Sequence, residues 1–306
     1  ISVTGVQTCA LPILRQIQRQ GLLSLAIKSQ SILEISMPEN NLRVLVIANQ
    51  KGGVGKTTTA INLGTALAAI GEKVLIIDLD PQGNASTGLG IGRKSRKHST
   101  YDVMVGLRSL SEVAQETAVP SLYVAPSTLD LLGVELEISS HRDRAFKLRN
   151  ALRAMAEKPM SDGTQFSYVL IDCPPSLDLL TSNALASADS VLVPLQCEFF
   201  ALEGLSQLLS TVDQVKNSLN PDLTIHGVVL TMFDPRNNLA TQVVADVRQF
   251  MGDKVYDTVI PRNVRISEAP SHGKPALLYD LKCSGSQAYL KLASELVQRE
   301  RRLRAA

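Results

Sequence analysis

The 306-residue chain is 44% hydrophobic and 20% charged, the proportions of a globular protein able to bury a sizeable core, which excludes wholesale disorder. A formal net charge of +2 is too small to imply a nucleic-acid partner, so any such affinity must come from local clustering of basic side chains. Cys9, Cys173, Cys197 and Cys283 form no C-x-x-C pair, which argues against a zinc site or a secreted disulfide framework and for a reducing cytoplasm.

Residues 1–36 precede Met37 and lack the turn-punctuated periodicity of the rest of the chain. Within them, VTGVQTCALPI (Val3 to Ile13) looks like the conceptual translation of a sequencing-library adapter, so the segment is read as a non-native assembly scar. A signal peptide built on Arg15, Arg19 and the apolar run from Leu22 to Ile27 is the competing reading, but that run is short and ends at Lys28 without a clear small-residue cleavage site. The native chain is then expected to start at Met37 and to form one domain over residues 37–306. No later stretch reaches the roughly 18 uninterrupted apolar residues of a membrane span.

Residues 43–48 (RVLVIA) read as a strand that leads into a glycine-rich loop. A helix follows from Thr58 to Ile70, where Ala60, Leu63, Leu67 and Ala68 recur at helical spacing, and Gly71 ends it. Residues 73–79 (KVLIIDL) are a near-continuous apolar strand of the kind buried on both faces of a parallel sheet. The same grammar predicts strands over 167–171, 190–194 and 227–231, each separated by a helical stretch. Such alternation implies right-handed crossovers, so the expected fold is single-domain α/β, a mostly parallel twisted sheet with helices on both faces.

The loop Lys51-Gly52-Gly53-Val54-Gly55-Lys56-Thr57-Thr58 sits between strand and helix, the setting a phosphate-binding P-loop requires. Its glycines let successive backbone N–H groups approach phosphate oxygens, while the helix N-terminus adds partial positive charge. Lys56 would neutralise β- and γ-phosphate charge, the Thr57 hydroxyl would ligate Mg2+, and Val54 and Thr58 complete the nucleotide-binding stretch. A glycine-rich turn carrying a solvated lysine is the bland alternative, and the strand–loop–helix setting argues against it. Asp78 and Asp80 follow the second strand, where open α/β sheets bind ligands, although both also read as turn-forming or capping aspartates. Asp172 follows the apolar run 168–171 in the Walker B arrangement and would hold Mg2+ directly or through water. Pro174 and Pro175 stiffen the loop after it, and Cys173 reads as a small buried residue. The strand end Leu230-Thr231-Met232-Phe233-Asp234 lacks the Asn-Lys-x-Asp that reads guanine, so ATP is favoured over GTP.

Gln50 stands where a P-loop usually has its first glycine, and Lys51 follows it. This KGGVGKTT form resembles the deviant Walker A motif of the ParA/MinD ATPases. The resemblance to ParA/Soj partitioning proteins continues through QCEFFALEGLSQLL (196–209), LTMFDPRNNL (230–239) and VIPRNVRISEAPSHGKP (259–275), nearly all of the chain after Met37. It implies that Lys51 reaches across a dimer interface to the partner's nucleotide, like an arginine finger supplied in trans. It also implies that Asp80 orients or activates the attacking water, that Asp78 supports the Mg2+ end of the site, and that the DCPPS sequence at Asp172 is a second switch. Pro261 and Arg262 would lie by the adenine, and Arg236 and Arg265 would bind DNA without sequence preference. Taken alone, each of these two arginines reads as an ordinary solvated side chain. The implied activity is ATP hydrolysis with ATP and Mg2+ as cofactors, and a scaffold that binds ATP and DNA but hardly turns ATP over is the non-enzymatic alternative. The implied partners are a second copy of the chain in an ATP-dependent homodimer, non-specific DNA, and a ParB/Spo0J-like centromere-binding protein that stimulates hydrolysis. The implied location is the cytoplasm, on the nucleoid.

Near the C-terminus Tyr289, Leu292, Ala293, Leu296 and Leu303 recur at helical spacing beside Arg299, Arg301, Arg302 and Arg304. A MinD-like membrane helix and a final helix packed on the sheet both fit; the modest apolar face, without Trp or Phe, favours packing, so no stable membrane association is expected. A nitrogenase-type iron protein would need paired cysteines, and none occurs between Asn84 and Asp172. The run Arg93, Lys94, Arg96, Lys97 reads as a solvated loop, with DNA contact as its alternative.

Overall fold

The computed structural model describes residues 42–158, 160 and 163–305; the expected scar over 1–36 and the start at Met37 lie outside the described residues. Short apolar runs form β1 (Arg43–Ile47), β2 (Val74–Asp78), β4 (Leu122–Ala125), β5 (Tyr168–Asp172), β6 (Ser190–Gln196) and β7 (Thr224–Thr231), with a two-residue β3 (Gln115–Glu116). They make one sheet in the order β3-β4-β2-β5-β1-β6-β7, parallel throughout except for β3 against β4. All five strands expected from the sequence are present. The edge pair β3 and β4 was not expected, because LYVA and a two-residue bridge are too short to display a period.

Every residue of β2 and β5 is buried, which is why both read as unbroken apolar runs rather than alternating ones. The pleat sorts the side chains. Val44, Val46, Leu75, Ile77, Val169 and Ile171 enter a core shared with the helices Lys147–Glu157, Leu179–Ser187, Ala201–Ser218 and Asn238–Met251. Leu45, Ile47, Val74, Ile76 and Leu170 enter a second core, shared with the helix Lys56–Ala69 and the last helix, Ser284–Ala305.

The apolar stripe of that last helix faces the sheet. Tyr289 is 1% exposed and Leu292, Ala293 and Leu296 are 0% exposed, and each large side chain so buried contributes about 1.5–3 kcal/mol. Among the described residues no helix is long and apolar enough to cross a membrane.

A bulge in β7 adds a polar tie. Val191 pairs with Ile225 and Leu192 with Gly227, so His226 is the extra residue, and its side chain is re-aimed toward the last helix. His226 Nδ1 lies 2.6 Å from Tyr256 Oη and Nε2 lies 3.0 Å from Glu300, which also accepts Arg43 Nη2 at 2.9 Å. Burial opposes the Glu300 charge, but hydrogen bonds from His226 and Arg43 prevail and hold its carboxyl below the usual glutamate value.

Candidate nucleotide-binding site

Parallel pairing brings the carboxyl ends of β1, β2 and β5 to one edge, with both Ile47 and Asp78 in register with Asp172. The loop after β1 is bent by Gly53 at φ 77° and Gly55 at φ 94°, left-handed conformations that favour glycine. Neighbouring strand ends brace it. Asn49 Nδ2 donates to Pro194 O at 2.8 Å while its Oδ1 accepts Lys51 N at 3.0 Å, and Thr231 Oγ1 donates to Val54 O at 2.9 Å. Gln50, in the place of the usual glycine, donates from Nε2 to Thr211 Oγ1 at 3.1 Å. Gly52 has open space around it, and the half-buried Thr57 and Thr58 open the helix.

Lys56 is buried, and its Nζ donates to Lys51 O at 2.9 Å. Burial lowers its pKa, opposed by the charges of Asp172, Cys173 and Asp80. Lys51 turns the other way, forming an ion pair with Glu198 of the same chain and lying 6.0 Å from the centre of the Phe200 ring. Glu198 escaped the sequence reading although it lies within QCEFFALEG.

The three aspartates occupy different environments. Asp172 is fully buried and its two oxygens accept no well-formed hydrogen bond. Burial first, then the charge of Asp78, raises its pKa well above the usual carboxylate range; the nearby Thr57 hydroxyl and Lys56 act in the opposite sense. Asp78 spends its oxygens on its own chain, Oδ2 accepting Ser86 N at 2.8 Å and Ser86 Oγ at 2.6 Å, and Oδ1 accepting Asp80 N at 3.2 Å. Burial raises it to about 6 despite these bonds. Asp80 is half-buried, with Oδ1 accepting Gln82 N at 2.9 Å and its carbonyl accepting Ser127 Oγ at 2.6 Å.

Among the described residues no group of three or more His, Cys, Asp or Glu side chains could hold a metal alone. A cation here would take ligands from Asp172, Thr57 and a bound phosphate, the mixed set that suits Mg2+. The orphaned oxygens of Asp172 fit that role.

Pro261 bridges to Phe233 just past β7, and Arg262 N donates to Phe233 O at 2.9 Å. This corner adjoins the glycine-rich loop, since a Cβ at Gly55 would lie 3.9 Å from Met232 Cε. Arg236 forms a forked pair with Asp234 at 2.9 and 2.8 Å, and its side chain is 88% exposed. Arg265 lies 3.1 Å from Glu268 and 3.6 Å from Asp280. The basic run divides. Arg93, Lys94 and Lys97 are exposed as expected, but Arg96 is buried, so the reading of a wholly solvated loop fails there.

A mostly parallel sheet carrying a lysine-bearing glycine loop after the interior strand β1, with a buried aspartate at the end of the neighbouring β5, defines a P-loop nucleotide-binding protein. Residues 42–225 match the AAA domain family model AAA_31. The chromosome partitioning protein ParA of Caulobacter vibrioides is 64% identical over 266 residues, covering 87% of this chain and 97% of that protein. The sporulation initiation inhibitor protein Soj of Bacillus subtilis is 51% identical over 254 residues, covering 83% and 98% respectively. A solved cobyrinic acid a,c-diamide synthase from Mycobacterium smegmatis, with bound ATP analogue and magnesium, matches at TM-score 0.72 and 36% identity over 84% of this chain and 94% of that one. The chain belongs to the ParA/Soj family of partitioning ATPases.

Proposed function

We propose that this chain is an ATP hydrolase that partitions DNA: loaded with ATP and Mg2+ it dimerises, binds DNA without sequence preference, and is released when a partner stimulates hydrolysis. Asp172 carries this reading. A buried carboxylate lacking compensation costs about 3–5 kcal/mol, and a cation beside Thr57 and Lys56 offsets that cost. Bound Mg2+ would neutralise charge on the β- and γ-phosphate oxygens. Backbone N–H groups of Gly52, Gly53, Val54 and Gly55 would cradle those phosphates, Lys56 would turn from the Lys51 carbonyl to them, and Thr57 and Asp172 would hold the metal, with Thr58 behind them in the first helical turn. Asp78 would support the metal end by fastening the loop that bears Asp80.

Asp80 would orient the attacking water. A carboxylate is a weak base for water, so intrinsic turnover should be slow and should rise when a partner completes the site. Lys51 would complete the site of a second copy, which requires its pair with Glu198 to open. Pro261 and Arg262 would flank the adenine. Arg236 and Arg265 would contact DNA phosphates in competition with Asp234, Glu268 and Asp280, giving binding that weakens steeply with salt. The partner is proposed to be a ParB/Spo0J-like centromere-binding protein, and the location the cytoplasm at the nucleoid. Phosphate release, measured with DNA and the cognate ParB-like protein, should be stimulated in the parent chain and absent in Asp80→Ala. No stimulated release from the parent would favour the nucleotide-sensing scaffold.

A further inference from the structure

Arg96 is 8% exposed, yet the hydrogen-bond partners of its guanidinium are neutral oxygens. Nη1 donates to Ser127 O at 2.9 Å. Nη2 donates to Thr87 Oγ1 at 2.7 Å, Ile91 O at 2.9 Å and Gly83 O at 3.2 Å, and Nε donates to Ile91 O at 3.1 Å. Burial opposes this cation more than the nearby Asp78 charge favours it, and no carboxylate accepts a hydrogen bond from it, so the fold must gain something from the geometry of this planar, many-donor fork. The fork joins three segments: the loop after β2 that ends at Gly83, the turn from Thr87 to Ile91, and the loop after β4 at Ser127.

Ser127 is the second strap across the same gap. Its Oγ donates to the Asp80 carbonyl at 2.6 Å, and its N–H donates at 3.0 Å to Ser86 Oγ, which in turn donates to Asp78 Oδ2 at 2.6 Å. The fit is close at Gly83, which holds φ 64° and where an added Cβ would collide with Arg96 Nη1.

We infer that Arg96 is a positioning residue that fastens the Asp80 loop to the loop after β4, so that Asp80 stands at the phosphate-binding edge before nucleotide arrives; this assignment depends on Asp80 acting as proposed above. A lysine offers a point charge and cannot span the same acceptors in one plane.

Hydrogen–deuterium exchange of the nucleotide-free full chain, together with steady-state ATP hydrolysis, tests this on the parent, Arg96→Lys and Arg96→Met. Exchange should rise in residues 80–91 and not across the sheet. The KM for ATP should hold while kcat falls about 10- to 100-fold, the scale set by small misplacements of reacting groups. In Arg96→Ala, added methylguanidinium should restore part of kcat. Unchanged exchange over 80–91 would overturn the clamp, as would an effect confined to KM or a uniform rise in exchange without rescue. Ser127→Ala carries the same two readouts should Arg96→Met fail to fold. A parent chain that binds ATP without hydrolysing it would contradict the role of Asp80, and the exchange comparison would still decide whether Arg96 is a clamp.

Discussion

Lys51 and Lys56 share one loop and meet different partners, Lys56 turning inward to the Lys51 carbonyl at 2.9 Å and Lys51 outward to Glu198. Lys56→Ala removes the buried cation beside Asp172, so ATP binding measured by titration should be lost; retained ATPase activity would refute the site. Glu198→Gln frees Lys51, and ATP-dependent dimerisation should tighten by about 0.5–1 kcal/mol, the worth of a partly exposed ion pair. An unchanged dimer constant would mean that Glu198 does not restrain Lys51. The glycine loop and the strand-end position of Asp172 were legible because phosphate chemistry fixes residue types at short spacing. Glu198, Asn49, Ser86 and Ser127 were not, because their partners arrive from other strand ends; Asn49 and Pro194 stand 145 residues apart. Arg96 sits among three exposed cations, and no local pattern distinguishes the one that folds inward.

At the scale of elements, the last helix is held by an apolar stripe and by the knot of Glu300 with His226 and Arg43. The stripe was legible as a period, and its modest apolar face without Trp or Phe already favoured packing within the protein over a membrane, as the burial of Tyr289, Leu292, Ala293 and Leu296 bears out. The knot depends on a bulge that shifts β7 by one residue, which alternation cannot foretell. Glu300→Gln should lower unfolding stability near pH 7 by about 3 kcal/mol in denaturant melts, since it removes the buried carboxylate that Arg43 and His226 share and leaves Arg43 only its 3.5 Å contact with Asp189. The Glu300 carboxyl titrates below its ordinary value, so its contribution is present above that ordinary value and is lost as pH falls through the folded one. The gap between parent and variant should therefore close in acid, and a gap independent of pH would show that the charge is not what stabilises the helix.

Across the whole molecule, the carboxyl ends of the strands gather the loop after β1, the Asp78–Asp80 turn and Asp172, while the last helix shares a core with the helix that follows the glycine loop. Arg236→Glu combined with Arg265→Glu should leave ATP-dependent dimerisation intact and abolish DNA retention at low salt. The parent's log–log salt slope should contain about 0.9 for each phosphate contact made. DNA retention that survives both substitutions would move the interface elsewhere. A mostly parallel sheet and the family were legible from repeated strand–loop–helix grammar and long motif stretches, but the strand order β3-β4-β2-β5-β1-β6-β7 was not, because pairing joins segments distant in the chain. The proposed change of assembly with nucleotide would belong to two chains, and a single chain exhibits only a lysine on the loop paired with a carboxylate of its own.

Light scattering on Asp80→Ala, which should bind ATP without consuming it, tests that change of assembly most directly. With ATP and Mg2+ the particle should have twice the mass of one chain; with ADP, or with Lys56→Ala added, it should have the mass of one. A single-chain mass with ATP demonstrably bound would contradict the nucleotide-gated dimer.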